Sequence, residues 1–233
     1  MLSYPRIIAH RCGGALAPEN TLAGLEIAAA LGCAGIEFDV MLSADAVPVV
    51  IHDETLERTT NGHGRVAELS LRELQKLDAG RNHHKAYAGE PIPGLEAIMA
   101  RAAQHKLWTN IEIKPAAGHD KETGKTVAQA LAEWSGPGIV SSFSGAALRA
   151  ARTTAPTLPL ALLYEHLPPH WRDDYDELGA LAIHLAARHV SSATAQALGK
   201  VAWACYTVND HIEADRLFAL GCTAIFTDRP DLW

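Results

Sequence analysis

Two short segments concentrate the charge of this chain: Gly35–Val40 (GIEFDV) and Asn110–Pro115 (NIEIKP). Each alternates apolar residues with charged ones, the two-residue period of a strand. Successive strand side chains point to opposite faces, so Glu37 and Asp39 share one face, and Glu112 and Lys114 share another. Same-face neighbours lie roughly 6–7 Å apart, which lets Glu37 and Asp39 reach one ion. Uncompensated buried charge is very costly. A hard divalent cation, which takes oxygen ligands, is the simplest compensation for Glu37, Asp39 and Glu112. The plainer reading is a half-exposed sheet with its charged face in water. That reading suffices for one such strand and strains at two.

Three more reactive residues stand beside these. His10 and Arg11 end an apolar run, and His52 ends another. The reference pKa of imidazole suits proton transfer near neutrality, so His10 and His52 can supply a base and an acid. Arg11 offers a planar fork for phosphate oxygens. Three carboxylates, a divalent ion, Arg11 and Lys114 together leave about one net positive charge, which a phosphodiester monoanion would neutralise. The metal would polarise the same phosphoryl group. Cys12 follows Arg11 directly, but nothing marks it as an activated nucleophile, and a spacer is the better reading.

The elements that must position these residues follow from the spacing of apolar runs. Nine candidate strands are Arg6–Arg11, Gly35–Val40, Val47–His52, Leu107–Lys114, Ile139–Phe143, Leu158–Tyr164, Leu181–Leu185, Val201–Val208 and Thr223–Asp228. The second and third are separated by only MLSADA, too short for a parallel crossover, so Val47–His52 is the return arm of a hairpin. Eight parallel strands remain. Helices are expected at Thr21–Leu31, Leu95–His105, Thr126–Glu133, Ala146–Thr153, Ala193–Leu198 and Ile212–Leu220. Alternating strands and helices in eight units indicate an α/β TIM barrel. A doubly wound sheet would need a Gly-rich phosphate loop after its first strand, and none follows. In a TIM barrel the reactive groups belong at the C-terminal strand ends, where all of these fall. The stretch 53–92 is too long for an ordinary loop and reads as a small insertion over the barrel mouth, with a helix at Ser70–Asp78. His63, His83 and His84 lie in it and read as surface residues. The chain 1–233 is thus expected to form one barrel domain.

Composition narrows the function classes. The 233 residues carry a formal net charge of -7, which argues against a nucleic-acid or anionic-membrane binder. No apolar run reaches the length of a membrane span. The first residues lack the pattern of a secretory signal. The cysteines Cys12, Cys33, Cys205 and Cys222 form no C-x-x-C pair, so they read as packed thiols of a reducing cytoplasm rather than zinc ligands.

The strings AHRCGGALAPENT, GIEFDVMLSADAVPVVIHDETLERTTNG, NIEIKP, SSFS, CYTVN and TDRPD together resemble the glycerophosphodiester phosphodiesterase family, in order from residue 6 to 231. The likeness is strongest to its bacterial cytoplasmic members. The resemblance implies a TIM barrel with a segment inserted after the second strand. It implies His10 and His52 as the acid/base pair, Glu37, Asp39 and Glu112 as ligands of one Mg²⁺ or Ca²⁺, and Arg11 and Lys114 on the phosphate. It implies cleavage of small glycerophosphodiesters, the deacylated phospholipids, to glycerol 3-phosphate and an alcohol. Phe143 and Tyr206 are candidates to line the glycerol pocket, with core packing as the competing explanation. Two positions depart from the pattern. Cys12 stands at the first glycine position after His-Arg, and Tyr206 stands where many members have Trp. Glu19 is a candidate to orient Arg11, and helix capping alone accounts for Asn20 or Thr21. Two rivals are a phospholipase-type relative acting on intact lipid, which would need an apolar rim, and a non-catalytic phosphodiester-binding barrel. The head group, the metal and the oligomeric state, including a homo-oligomer, stay open.

Overall fold

The computed structural model describes residues 4–233. Eight parallel strands close into a barrel: β1 (Ile7–Ala9), β2 (Gly35–Leu42), β4 (Trp108–Ile113), β5 (Gly138–Ser142), β6 (Leu160–Tyr164), β7 (Ala182–Ala186), β8 (Ala202–Tyr206) and β9 (Ala224–Thr227). The ring closes because β1 pairs with β9 on one side and with β2 on the other, through Ala9 opposite Ile36. The ninth strand, β3 (Pro48–Val50), runs antiparallel to β2 with Val40 opposite Val50. This is the hairpin expected from the short MLSADA connection. Each strand end falls within a couple of residues of the sequence expectation. The chief difference lies at the functional tips: His10, Arg11 and His52 sit just beyond their strands, in the turns that follow.

Outer helices are α1 (Leu22–Ala30), α3 (Leu95–Gln104), α4 (Asp120–Ala130), α5 (Gly145–Thr154), α6 (Trp171–Leu178), α7 (Ser192–Leu198) and α8 (His211–Ala219), with a single-turn α2 (Leu71–Leu74) between β3 and α3. Three helices differ from expectation. The α4 helix begins at Asp120 rather than Thr126, because Asp120 and Glu122 complement its N-terminal dipole while Thr123 and Val127 turn inward. The charged α6 was not expected at all; only Trp171 and Leu178, two turns apart, bury an apolar face. The expected helix Ser70–Asp78 shrinks to α2, since Lys76 and Leu77 bond three residues back and tighten the chain into turns.

Inside the barrel, large and small side chains interlock. Ala161, Ala182, Ala204 and Ala224 leave room for Ile8, Trp108, Ile139 and Phe226. Tyr4 lies against Trp108, with ring centroids 4.7 Å apart. Outside, apolar faces of the helices cover the strands in two clusters, one over β1 to β6 and one over β6 to β9. Residues 53–92 contribute Leu56, Val66, Leu74, Ala79 and Ile92 to a smaller cluster around Met41 and Val49 of the hairpin. No helix among the described residues is long and apolar enough to cross a membrane.

Gly124 permits the close approach of α4 to α5. A Cβ there would stand 2.1 Å from the carbonyl oxygen of Ala147. Alanine is the better helix former by about 1 kcal/mol, but overpacking in a dense interior costs about 1–3 kcal/mol. Gly124→Val should therefore lower the urea unfolding midpoint clearly. An unchanged or higher midpoint would mean that the two helices do not meet at this glycine.

Candidate active site

The turn after β1 is pinned on both sides. The His10 amide donates to Thr227 O of β9 and the Cys12 amide to Glu37 O of β2, at 2.9 and 2.7 Å. Between these anchors the chain adopts left-handed backbone at Arg11 (φ 49°) and Cys12 (φ 73°). For side chains other than glycine this conformation costs roughly 1–2 kcal/mol per residue. It turns the Arg11 amide onto Glu37 Oε2 at 2.8 Å. At Gly14 (φ 60°) any Cβ would collide with the Asp228 carbonyl, 2.4 Å away, so the glycine is required there.

Glu37 and Asp39 point into the barrel mouth from β2, and Glu112 enters from β4, where it pairs directly opposite Asp39. Oxygens of the three carboxylates lie within 4.8 Å of one another, and all three residues are buried. Only Asp39 is well compensated. Burial works against its charge, but Lys114, 3.6 Å away, together with His52, Arg11 and a hydrogen bond from Asn20, holds it below the ordinary carboxylate value. Burial and the neighbouring carboxylates push Glu37 well up. Burial and Asp39 push Glu112 to about 8. Glu37 Oε1 has no hydrogen-bond partner among the described residues. An all-oxygen set, mutually repelling and with one oxygen unspent, fits a hard divalent cation.

The two histidines adjoin this cluster at different points. His10 Nδ1 meets Asp228 Oδ1 at 2.7 Å, leaving Nε2 at 3.8 Å from Glu37. His52 Nδ1 meets Asp53 Oδ1 at 2.6 Å, leaving Nε2 at 2.5 Å from Lys114 Nζ. In each case an aspartate carboxylate accepts the hydrogen bond of Nδ1–H and so fixes the tautomer that presents Nε2 to the cavity. Burial lowers the pKa of His52, aided by Arg11 and Lys114 against the pull of Asp39. Arg11 reaches Asp39 at 3.8 Å through Nε, which has no hydrogen-bond partner among the described residues, and Glu19 at 3.2 Å through its terminal nitrogen. Glu19 also accepts two bonds from Arg58, at 2.7 and 2.8 Å. Arg58 in turn bonds Asp53, and that contact first among others keeps the Asp53 carboxylate ionised far into acid.

All nine residues singled out from sequence thus line one cavity of about 470 Å³. Phe143 is 53 % exposed, so core packing does not explain it, and its ring meets that of Tyr206 edge-on at 5.8 Å. Asn20 is no helix cap: Thr21 caps α1, and Asn20 instead donates to Asp39 Oδ2 at 2.8 Å and accepts from its amide. Sequence reasoning missed the roles of Asp228, Asp53 and Arg58. It also missed Asn110 and His184 on the cavity floor, whose Oδ1 and Nδ1 have no partner among the described residues. His184 is fully buried and bonded to the Tyr4 hydroxyl, and burial lowers its pKa to about 3. Asp228 carried one legible signal, the TDRP string beside the last strand; His184 carried none.

The raised pKa of Glu112 has a sign that can be tested. A carboxyl that binds its proton more tightly in the fold stabilises the metal-free protein below its ordinary pKa, and that contribution is lost as pH rises through about 8. The metal-free melting temperature should fall across that window, and Glu112→Gln should make the fall shallower. Thermal melts in chelator from about pH 5 to about pH 9 measure this; an identical slope in the variant would contradict it.

Comparison with known proteins places the chain. The sequence model of the glycerophosphoryl diester phosphodiesterase family matches residues 10–232. A glycerophosphodiester phosphodiesterase of Caldanaerobacter subterraneus is 34% identical, over 97% of this chain and 94% of its own length. One from Bacillus subtilis is 31% identical, over 100% of this chain and 87% of its own. The structure of an Oleispira antarctica phosphodiesterase, in complex with the product sn-glycerol-3-phosphate, superposes with a TM-score of 0.94 at 32% identity, covering 98% of this chain and 94% of that one. The TIM barrel, the match along almost its full length and these relatives together establish that the chain belongs to the glycerophosphoryl diester phosphodiesterase family, a family of hydrolases.

Proposed function

We propose that this protein hydrolyses small glycerophosphodiesters to glycerol 3-phosphate and an alcohol, with His10 and His52 as the acid/base pair. One observation carries the reading. Two imidazoles, each with Nδ1 engaged by an aspartate, present Nε2 to the same cavity beside three crowded carboxylates. The product held by the Oleispira relative supports the glycerol phosphate half of the substrate. Residues 1–233 act as one phosphodiesterase domain, with 53–92 as a cap. Four free thiols, three of them buried, favour a reducing, cytoplasmic setting.

Glu37, Asp39 and Glu112 would hold the divalent ion, Mg²⁺ ahead of Ca²⁺, which supplies Lewis-acid polarisation of the phosphoryl group. The chain's own groups do the rest. Arg11 and Lys114 stabilise negative charge on the non-bridging oxygens as the phosphorus becomes crowded. When a phosphate oxygen takes Lys114 Nζ, His52 Nε2 is released from its contact with that ammonium. One imidazole then removes the proton of the attacking oxygen, from water or from the adjacent glycerol hydroxyl, and the other protonates the departing alkoxide. Asp228 and Asp53 keep both rings oriented. Phe143 and Tyr206 form the aromatic wall against the glycerol carbons.

His10→Ala and His52→Ala should each lower kcat by about 10²–10⁴-fold, the range for loss of an acid/base group. Release of glycerol 3-phosphate from glycerophosphocholine, followed with and without chelator, tests both groups and metal together. Near-normal turnover in the variants would reject the histidine assignment, and turnover that survives chelation would reject the metal. Tight binding without any turnover by the intact protein would point to a phosphodiester sensor.

A further inference from the structure

A second group of metal-ligating side chains stands at the barrel mouth, apart from the acidic cluster. Glu165 and His166 follow β6, and His189 ends the short turn Ala187–His189 after β7. The two strands are paired, with Tyr164 opposite Leu185, so the loops emerge side by side. The rings of His166 and His189 stack with centroids 3.6 Å apart, and His189 Nε2 lies 3.7 Å from Glu165 Oε1. One ligand atom from each residue falls within 4.8 Å of the others. We propose that Glu165, His166 and His189 form a second cation site, selective for a borderline transition metal such as Zn²⁺.

The donor chemistry separates this site from the first. Two imidazole nitrogens and one carboxylate are a set used by tetrahedral Zn²⁺, with water in the fourth position. Imidazole also suits Cu²⁺ and Ni²⁺, whereas Mg²⁺ and Ca²⁺ prefer oxygen alone. Glu37, Asp39 and Glu112 offer only oxygen. One barrel mouth therefore presents two sites that sort cations by hardness.

Arg188 is the competitor. Its guanidinium bonds Glu165, and its Nε donates to His189 Nε2 at 3.0 Å, so it occupies two of the three ligands. Both partners of the ion pair are well exposed, Arg188 at 68% and Glu165 at 55% of their side chains. Such an exposed pair contributes little to stability, less than a metal gains from three ligands, so the ion displaces it. Arg188 also lines the cavity that holds the acidic cluster. Its release from Glu165 frees a cation at the wall of that cavity, which couples occupancy of the second site to substrate binding there.

The test is calorimetric titration of the intact protein with Zn²⁺ in excess Mg²⁺, so that the all-oxygen site is competed. The wild type should bind one Zn²⁺ that Mg²⁺ does not displace. His166→Gln and His189→Gln should each weaken it by more than about 10–100-fold, the cost of losing even an outer-shell partner of a metal site. In His166→Gln, whose ring makes no bond to Arg188, Mg²⁺-supported turnover stays near normal. Arg188→Ala should tighten Zn²⁺ binding, a result that scattered surface histidines would not give. Absence of a Mg²⁺-resistant Zn²⁺ site, or Zn²⁺ binding unchanged in both histidine variants, would overturn the proposal. Neither outcome would bear on the phosphodiesterase reading, whose test uses His10, His52 and a chelator.

Discussion

The repulsion among Glu37, Asp39 and Glu112 is the constraint around which this barrel mouth is arranged. Three carboxylates drawn from two neighbouring strands cannot all keep their charge in a buried place without help. Asp39 receives help from Lys114, Arg11 and Asn20. Glu37 receives a backbone amide on one oxygen, and Glu112 is eased by Lys114 and Arg11 but not enough to offset burial and Asp39. The fold therefore carries an electrostatic deficit fixed in place by the strand register, which sets Asp39 opposite Glu112. Relaxing it would require moving β2 against β4, two fully packed strands. The deficit stays available to whatever positive charge enters the cavity.

Strained backbone and long ion-pair chains serve the same end. The left-handed stretch at Arg11 and Cys12 delivers one amide to Glu37 and sends the Arg11 guanidinium towards Asp39 and Glu19. Cys12 holds this conformation with its side chain fully buried among Leu25 and Ala28, so packing offsets what glycine would have given through freedom of φ. From Glu19 the chain of contacts continues through Arg58 to Asp53 and so to His52. Arg11 and His52 are therefore tied together through groups that do not reach into the main cavity. A substitution at Arg58, outside that cavity, would loosen both.

The parts of this arrangement that were readable in the sequence are those set by period and spacing. Alternation revealed the faces of Gly35–Val40 and Asn110–Pro115, and the short MLSADA link removed one strand from the parallel count. Those two facts suffice for an eight-stranded barrel with its charges at one mouth. What escaped was set by tertiary contact. The α6 helix is charged along most of its length and shows only two buried residues, too few for a periodic signal. Asn20 sits where capping is the local expectation, and only the fold brings it to Asp39. His184 sits in an apolar run and looks like any core residue until the closed barrel sets it beside a cavity, with its buried Nδ1 lacking a partner among the described residues.

The mouth is also unequal from side to side, and this bears on recognition. Strand β2, the turns after β1 and β3 and the end of β4 supply the carboxylates, the imidazoles of His10 and His52, Arg11 and Lys114. The opposite wall, from β5 to β9, supplies Phe143, Leu163, Tyr206 and Phe226, with Arg188 its one cation among the described residues. On the proposed function, phosphate position is dictated by electrostatics on one wall, where pairwise forces are strong in a partly desolvated site. The carbon skeleton is then selected by shape on the other wall, where each aromatic contact is weak and tolerant. Such a division favours strict placement of the scissile phosphorus together with loose selection of the alcohol. The one strong polar feature of the tolerant wall is Arg188, which Glu165 and His189 hold. Whatever loosens that hold changes the charge on the wall of the cavity that faces Glu37, Asp39 and Glu112.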